Sequence, residues 1–290
     1  MVVIKNDKLT VEINELGAEL MSVKSDDGTE YLWQGDEKYW GSRSPVLFPY
    51  IGRFTNGQYT VHGKPYKMNI HGFARGSVFS VDKRSDHQAV FTICSSEETL
   101  KVYPFDFEFS VDYKLDGAKL YMTFNVINKN STTMYFAVGG HPGINVPFES
   151  GTDFEDYYLD FGAGAAPKKV ELSPQYFVTD DRTDFKLDDG KLPLKHSLFD
   201  DDAIVLEDAP KTVTIKSFKT KKAVRATYND MAYIAFWHAT KTDAPYVCIE
   251  PWSSLPSRQD IVEEFTTHPS LISLDAGATY KNELCFEIIE

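Results

Sequence analysis

Apolar residues recur at every second position through long stretches of this chain. Phe107, Phe109, Val111, Tyr113 and Leu115 alternate with Glu108, Ser110, Asp112 and Lys114. Asp116-Gly117 supplies a turn, after which Leu120, Met122, Phe124 and Val126 resume the alternation. Successive side chains of a strand point to opposite faces, so the pattern predicts a hairpin with one buried face and one wet face. The same period predicts strands at 9–13, 18–24, 78–83, 89–94, 203–207, 213–218, 233–237, 246–250 and 280–289. Asp26-Asp27-Gly28, His62-Gly63-Lys64-Pro65 and Asp188-Asp189-Gly190 carry the turn residues between them. No long stretch has helical periodicity; residues 260–265 predict one or two helical turns opened by Asp260. With no internal repeat, low-complexity linker or block of charge, the pattern predicts an all-β fold. The expected architecture is one large antiparallel β-sandwich domain over residues 1–290 with little helix.

Composition narrows this picture. At 290 residues, 42% hydrophobic and 14% aromatic, the chain can build a substantial core and is not a disordered one. No apolar run approaches the roughly 20 residues of a membrane helix, and the start, Met1-Val2-Val3-Ile4-Lys5, turns polar too early for a secretory leader. Cys94, Cys248 and Cys285 are isolated and odd in number, which predicts buried free thiols in a reducing cytoplasm. A net charge of −13 without a lysine or arginine stripe argues against nucleic acid or an anionic membrane as partner. A monomer or homodimer is expected.

Four segments break the alternation with clustered glycine, proline and polar residues. In Ile51-Gly52-Arg53-Phe54-Thr55-Asn56, Arg53 is either a surface charge or a fork of donors for sugar hydroxyls or a carboxylate. In Ile70-His71-Gly72-Phe73-Ala74-Arg75-Gly76, His71 by itself reads as a structural histidine. In Val138-Gly139-Gly140-His141-Pro142-Gly143, the glycines and proline hold a special backbone shape. His141 is then incidental to a tight corner, or is projected by a rigid loop into a cavity. In Tyr246-Val247-Cys248-Ile249-Glu250-Pro251-Trp252, Glu250 closes a strand before Pro-Trp. It is either an ordinary solvent residue of a strand end or, as the following Pro-Trp favours, a carboxylate at the rim of an aromatic-lined pocket. His71, His141 and His238 lack the short spacings of zinc motifs, and no phosphate-loop, dinucleotide or serine-elbow pattern occurs. Histidine, carboxylate and arginine in an all-β frame suit proton transfer on a neutral, hydroxyl-rich ligand, with no metal or organic cofactor required.

The order of these segments, Gly52-Arg53-Phe54-Thr55-Asn56, His71-Gly72, His141-Pro142-Gly143-Ile144-Asn145 and Cys248-Ile249-Glu250-Pro251, resembles the aldose 1-epimerase (galactose mutarotase) family over nearly the whole chain. His71-Gly72-Phe73-Ala74-Arg75 with Glu250-Pro251-Trp252 is similar to its LacX-type, galactose mutarotase-related subgroup. The resemblance implies a β-supersandwich, His141 as general acid, Glu250 as general base, and Arg53 and His71 as residues that hold the sugar. It also implies that the aspartate of Asp202-Ala203-Ile204-Val205 binds sugar hydroxyls, although Asp200 and Asp201 adjoin it and a solvated acidic turn fits equally well. Arg53 is further expected to help keep Glu250 ionised. Trp252 stands where the galactose-specific members carry glutamine, and Phe73 where they carry a second glycine. Both departures fall beside the sugar and leave its identity open. The expected activity is interconversion of the anomers of a free aldohexose. A hexose 6-phosphate, with Arg43, Arg53 and Arg75 as phosphate ligands, and a non-catalytic sugar-binding protein are the alternatives.

Overall fold

The computed structural model describes all of residues 1–290, and 47% of them are strand against 8% helix. The 107–115 and 120–126 alternations become the strands Phe107–Asp116 and Lys119–Asn128, paired from Phe107↔Asn128 to Asp116↔Lys119 around Gly117, whose φ is +56°. The odd-numbered residues of the first strand are buried, as the period requires. These two are central in a nine-stranded sheet, with Thr279–Ile289 beside Lys119–Asn128 and Gln88–Cys94 beside Phe107–Asp116.

A second, eight-stranded sheet holds Val178–Asp184, Lys168–Leu172, Ile204–Glu207, Tyr233–Trp237, Tyr246–Trp252, Gly139–Gly140 and Val46–Leu47 in that order, with Gly143–Asn145 also paired to Tyr246–Trp252. Neighbouring strands in both large sheets are antiparallel. Side chains from the two sheets and their connections meet between them: Phe48 stacks on Phe109 with ring centroids 4.3 Å apart, and Phe161 meets Phe236 edge-on at 5.6 Å. The result is one contiguous cluster of 73 buried apolar residues. A three-stranded sheet, Val2–Lys5, Leu9–Ile13 and Leu20–Ser25, and two short ribbons complete the strands.

Two expectations need correction. Residues 260–265 are not helical. Asp260 has φ +60°, which a helix N-cap cannot adopt, and Glu263 is turned inward onto Arg258 while its carbonyl accepts from the Thr60 N–H. Only a single 3₁₀ turn, Phe265–Thr267, follows. The one α-helix is Glu97–Val102, nucleated by a Ser96/Thr99 capping box. Of the cysteines, only Cys248 is buried; Cys94 is exposed and Cys285 half-buried. Cys94 closes a strand whose buried residues are the odd ones, so the strand period puts it on the wet face. No helix is long and apolar enough to cross a membrane.

Candidate active site

Strand Tyr246–Trp252 is buried at every position, because both its neighbours and both its faces are covered. It does not stop at Glu250 but runs through Pro251 and Trp252. Glu250, 1% exposed, therefore lies at the floor of a pocket rather than at its rim. The cavity above it has a volume of about 240 Å³. Neighbouring strands of the eight-stranded sheet form its base, contributing Leu172, Val205, Trp237, Glu250 and Trp252 in sheet order. Loops supply the walls.

His141 follows Gly139–Gly140 and is fixed by its N–H donating to the Pro45 carbonyl at 3.1 Å. The glycines here are needed for close approach rather than for positive φ. A Cβ on Gly139 would stand 2.8 Å from the Pro251 carbonyl, and one on Gly143 would stand 2.9 Å from Trp33 Cβ. The two backbones can thus draw together, and His141 Nε2 comes 3.2 Å from Glu250 Oε2. Trp40 stacks along the imidazole at 4.9 Å, and Trp237 and His71 meet it edge-on, each at 5.7 Å.

His71 and Gly72 both have positive φ. A Cβ on Gly72 would overlap the Phe48 carbonyl, so only glycine lets this loop lie against Phe48. His71 Nδ1 accepts from the Gly52 N–H at 3.1 Å, which assigns the ring proton to Nε2. Burial, reinforced by the Arg75 and Arg53 charges, holds the ring neutral down to about 3. Arg53 reaches over the Tyr176 ring, 5.4 Å from its centroid, and donates weakly to the Gln175 carbonyl at 3.5 Å. Asp202, Tyr176 and His71 are three non-glycine residues with positive φ, and all three line this cavity. Backbone held in a sparsely populated region clusters where a loop must aim a side chain.

All seven residues singled out in the sequence, Arg53, His71, Arg75, His141, Asp202, Glu250 and Trp252, line this one cavity. Arg43, the further arginine considered for a phosphate, does not; its guanidinium donates to the Met21 carbonyl and Gln34. Trp40, Trp237 and Tyr176 were not anticipated. Trp237 ends an alternating strand and pairs with Cys248, two residues from Glu250, so only the cross-strand register reveals it.

The charge states follow from burial. Burial drives the His141 imidazole well below its ordinary value, and His71 and Arg75 push it the same way. Burial drives the Glu250 carboxyl well above its own, and the Asp202 charge adds to that. Both groups therefore favour their neutral forms and share a single proton. The Arg53 charge bears on Asp202, which burial raises and Arg53 lowers, and on His71; it is not among the influences on Glu250. The expectation that Arg53 keeps Glu250 ionised is thus not met, because Asp202 is the charge that Glu250 faces. His141 Nδ1, Glu250 Oε2 and Trp252 Nε1 are buried and have no hydrogen-bond partner within the protein. Native interiors rarely leave such groups unpaired, and three in one cavity mark a place for a polar ligand.

The family model for aldose 1-epimerase matches residues 1–286. The chain belongs to this family. It is 34% identical over 286 residues to the chromosomal protein LacX of Lactococcus lactis subsp. lactis, covering 94% of this chain and 95% of that one. Its fold superposes with a TM-score of 0.93 on a galactose mutarotase related enzyme from Lactobacillus acidophilus, at 34% identity over 99% of this chain and 96% of that one. A galactose mutarotase-like protein from Lactobacillus casei gives a TM-score of 0.94 at 32% identity, over 99% of both chains. The chain is thus an aldose 1-epimerase family member of the LacX-type, galactose mutarotase-related subgroup.

Proposed function

We propose that this protein is an aldose 1-epimerase that interconverts the α and β anomers of a free aldohexose by opening and reclosing the ring. The observation that carries this reading is the buried pair: His141 and Glu250 stand 3.2 Å apart in a cavity of sugar size, each with a polar atom left unpaired by the protein.

Ring opening breaks the C1–O5 bond. Glu250, as carboxylate, takes the proton of the C1 hydroxyl as C1=O forms, and His141 delivers its proton to O5. Rotation about C1–C2 presents the other face of the aldehyde, and reclosure returns each proton by the reverse path. One group must hold a proton while the other lacks it. Burial favours the proton on Glu250, so opening in this direction draws on the tautomer in which that proton has passed to His141, and the two tautomers serve the forward and reverse steps. Each positioned acid or base is worth about 10²–10⁴-fold. The His71 Nε2–H, Arg53 and Asp202 offer donors and an acceptor to the remaining hydroxyls, and Trp40 and Trp237 offer ring faces to the apolar side of the sugar. Excluding water strengthens these interactions. A binding protein alone has no use for a buried carboxyl facing an imidazole, since leaving either unpaired costs stability.

One observation favours a second reading, a hexose 6-phosphate as substrate. Arg53 and Arg75 both line the cavity and neither is paired to a carboxylate, Arg75 being exposed at its edge. Against it stand the two acids of the same cavity, Asp202 and Glu250, and a net charge of −13, which repels a dianion at long range. Polarimetry on freshly dissolved α-galactose, α-glucose and α-glucose 6-phosphate decides between them. We expect kcat/KM for a free hexose to equal or exceed that for the phosphate. A tenfold or greater preference for the phosphate establishes the second reading, and no acceleration with any aldose removes both.

A further inference from the structure

Side chains two apart on a strand point the same way, so the face of Tyr246–Trp252 that carries Glu250 also carries Cys248. This thiol is fully buried, pairs in register with Trp237 and Gly143, and has no part in the ring opening described above. The fold brings it to the acid–base pair. The Cys248 sulfur, a ring nitrogen of His141 and a carboxylate oxygen of Glu250 all lie within 4.8 Å of one another.

That donor set has the composition of a zinc site. The 3.2 Å separation of His141 Nε2 and Glu250 Oε2 matches the ~3.3 Å edge of a tetrahedron whose metal–ligand bonds are ~2.0–2.1 Å. The sulfur, with a bond of ~2.3 Å and at most 4.8 Å from either atom, needs to close on the pair by no more than roughly 1 Å to complete a triangular face. Glu250 Oε2 is buried and accepts from nothing in the protein, so it is available as a ligand without breaking a bond. Three protein donors leave the fourth position toward the cavity, where a water fits. Mixed nitrogen, sulfur and oxygen donors select a borderline-soft ion; calcium and magnesium call for more oxygens than are present. A thiolate and a carboxylate would offset the charge of a divalent ion, so the buried site would be neutral when filled.

We propose that His141, Cys248 and Glu250 form a binding site for a thiophilic divalent cation of the zinc class, which occupies the acid–base pair in place of sugar and so inhibits the protein. Binding releases the thiol proton and the proton shared by the pair to solvent, and nothing is oxidised or reduced. The inhibition rests on the epimerase reading above; the binding does not.

The test uses the full chain with Cys94→Ser and Cys285→Ser, which leaves Cys248 as the one thiol. Titration with Co²⁺ should produce a near-ultraviolet thiolate-to-cobalt charge-transfer band and the visible bands of a tetrahedral ion, both displaced by Zn²⁺ and both absent after Cys248→Ala. In the epimerase assay, Zn²⁺ should stop anomer interconversion and a chelator should restore it. The Cys248→Ala protein should keep its basal turnover but need at least about 10–100-fold more Zn²⁺ for half-inhibition, the loss that even an outer-shell partner of a metal causes. If Cys248→Ala fails to fold, Cys248→Ser preserves the volume and serves the same comparison. No charge-transfer band with Cys248 present, or equal Zn²⁺ sensitivity with and without the thiol, overturns the proposal. A protein that shows the band but turns over no aldose retains the metal site and loses the epimerase reading.

Discussion

Two glutamates, Glu250 and Glu263, are almost equally buried, at 1% and 2% exposure, yet their carboxyls are driven in opposite directions. Burial alone would raise both. At Glu263 the donors of Arg258 outweigh it: the backbone N–H at 3.1 Å, Nε at 3.1 Å and Nη2 at 3.0 Å converge on the carboxylate and hold it below its ordinary value. At Glu250 burial and the like charge of Asp202 raise the carboxyl, the neighbouring imidazole is itself kept neutral by burial, and Oε2 is unpaired. The lowering influence of the Trp252 indole is too small to offset them, so the carboxyl stays high. Burial therefore does not decide charge state; the supply of donors does. A saturated carboxylate is an anchor, whereas an unsatisfied one has its valences left for a ligand.

The anchor also supports the pocket. Arg258 accepts from Thr55 Oγ1 through its carbonyl, and the preceding Ser257 donates its N–H to the Arg53 carbonyl at 3.1 Å while accepting from Val178 N–H at 3.1 Å. Pro256 packs against Gly52 so tightly that a Cβ there would lie 2.4 Å from the proline ring. The wall that carries Arg53 is thus tied to the Arg258–Glu263 pair.

The contrast breaks most visibly in turnover. Glu250→Gln keeps the shape of the side chain but cannot accept the C1 proton, and His141→Asn loses the titratable nitrogen. Each should lower kcat on the order of 10²–10⁴ with a much smaller change in sugar binding. Neither should lower stability much, because Glu250 Oε2 and His141 Nδ1 satisfy no partner in the folded protein. Urea unfolding checks this, and a loss for Glu250→Gln comparable to that of an anchor substitution would erase the distinction between the two glutamates.

Arg258→Ala should behave in the opposite way. It leaves a buried carboxylate without its donors, a cost reduced because the guanidinium is 41% exposed. We expect about 1–3 kcal/mol in urea unfolding, with kcat retained within an order of magnitude. A kcat loss as large as that of Glu250→Gln would place the anchor in the chemistry instead.

The smallest effect is in pH dependence. His71 stays neutral in the folded chain down to about 3, against an unfolded value of 6.5. Between those values the unfolded chain binds the extra proton, so stability rises with pH there and is lost as pH falls from about 6.5 toward 3. His71→Asn keeps an acceptor for the Gly52 N–H and removes the titration, and should flatten the slope by up to one proton. Denaturant midpoints across this range measure it, and an unchanged slope would show that the folded ring protonates normally.

Much of this fold could be read from period two alone. The predicted 9–13 and 233–237 runs are strands with those bounds, and the 107–126 hairpin folds around its Asp-Gly turn. Strands such as Val178–Asp184 escaped notice because an edge strand exposes both faces and carries no alternation. The site residues were legible where glycine or proline broke the pattern, at Gly52-Arg53, His71-Gly72 and Gly139-Gly140-His141. Trp40, Trp237 and Tyr176 sit in the cavity through register and loop path, and Cys248 meets His141 only because Gly143–Asn145 pairs with its strand. Long-range pairing of that kind leaves no local signature.

The central claim is that His141 and Glu250 act as one acid–base unit, and a double-mutant cycle in kcat tests it most directly. Wild type, Glu250→Gln, His141→Asn and the double variant are compared by polarimetry on the best free hexose. Both protons move in the same opening step, so the account predicts that the double variant loses far less than the product of the two single losses. A double loss equal to that product, or a Glu250→Gln protein that interconverts anomers at the wild-type rate, would contradict it.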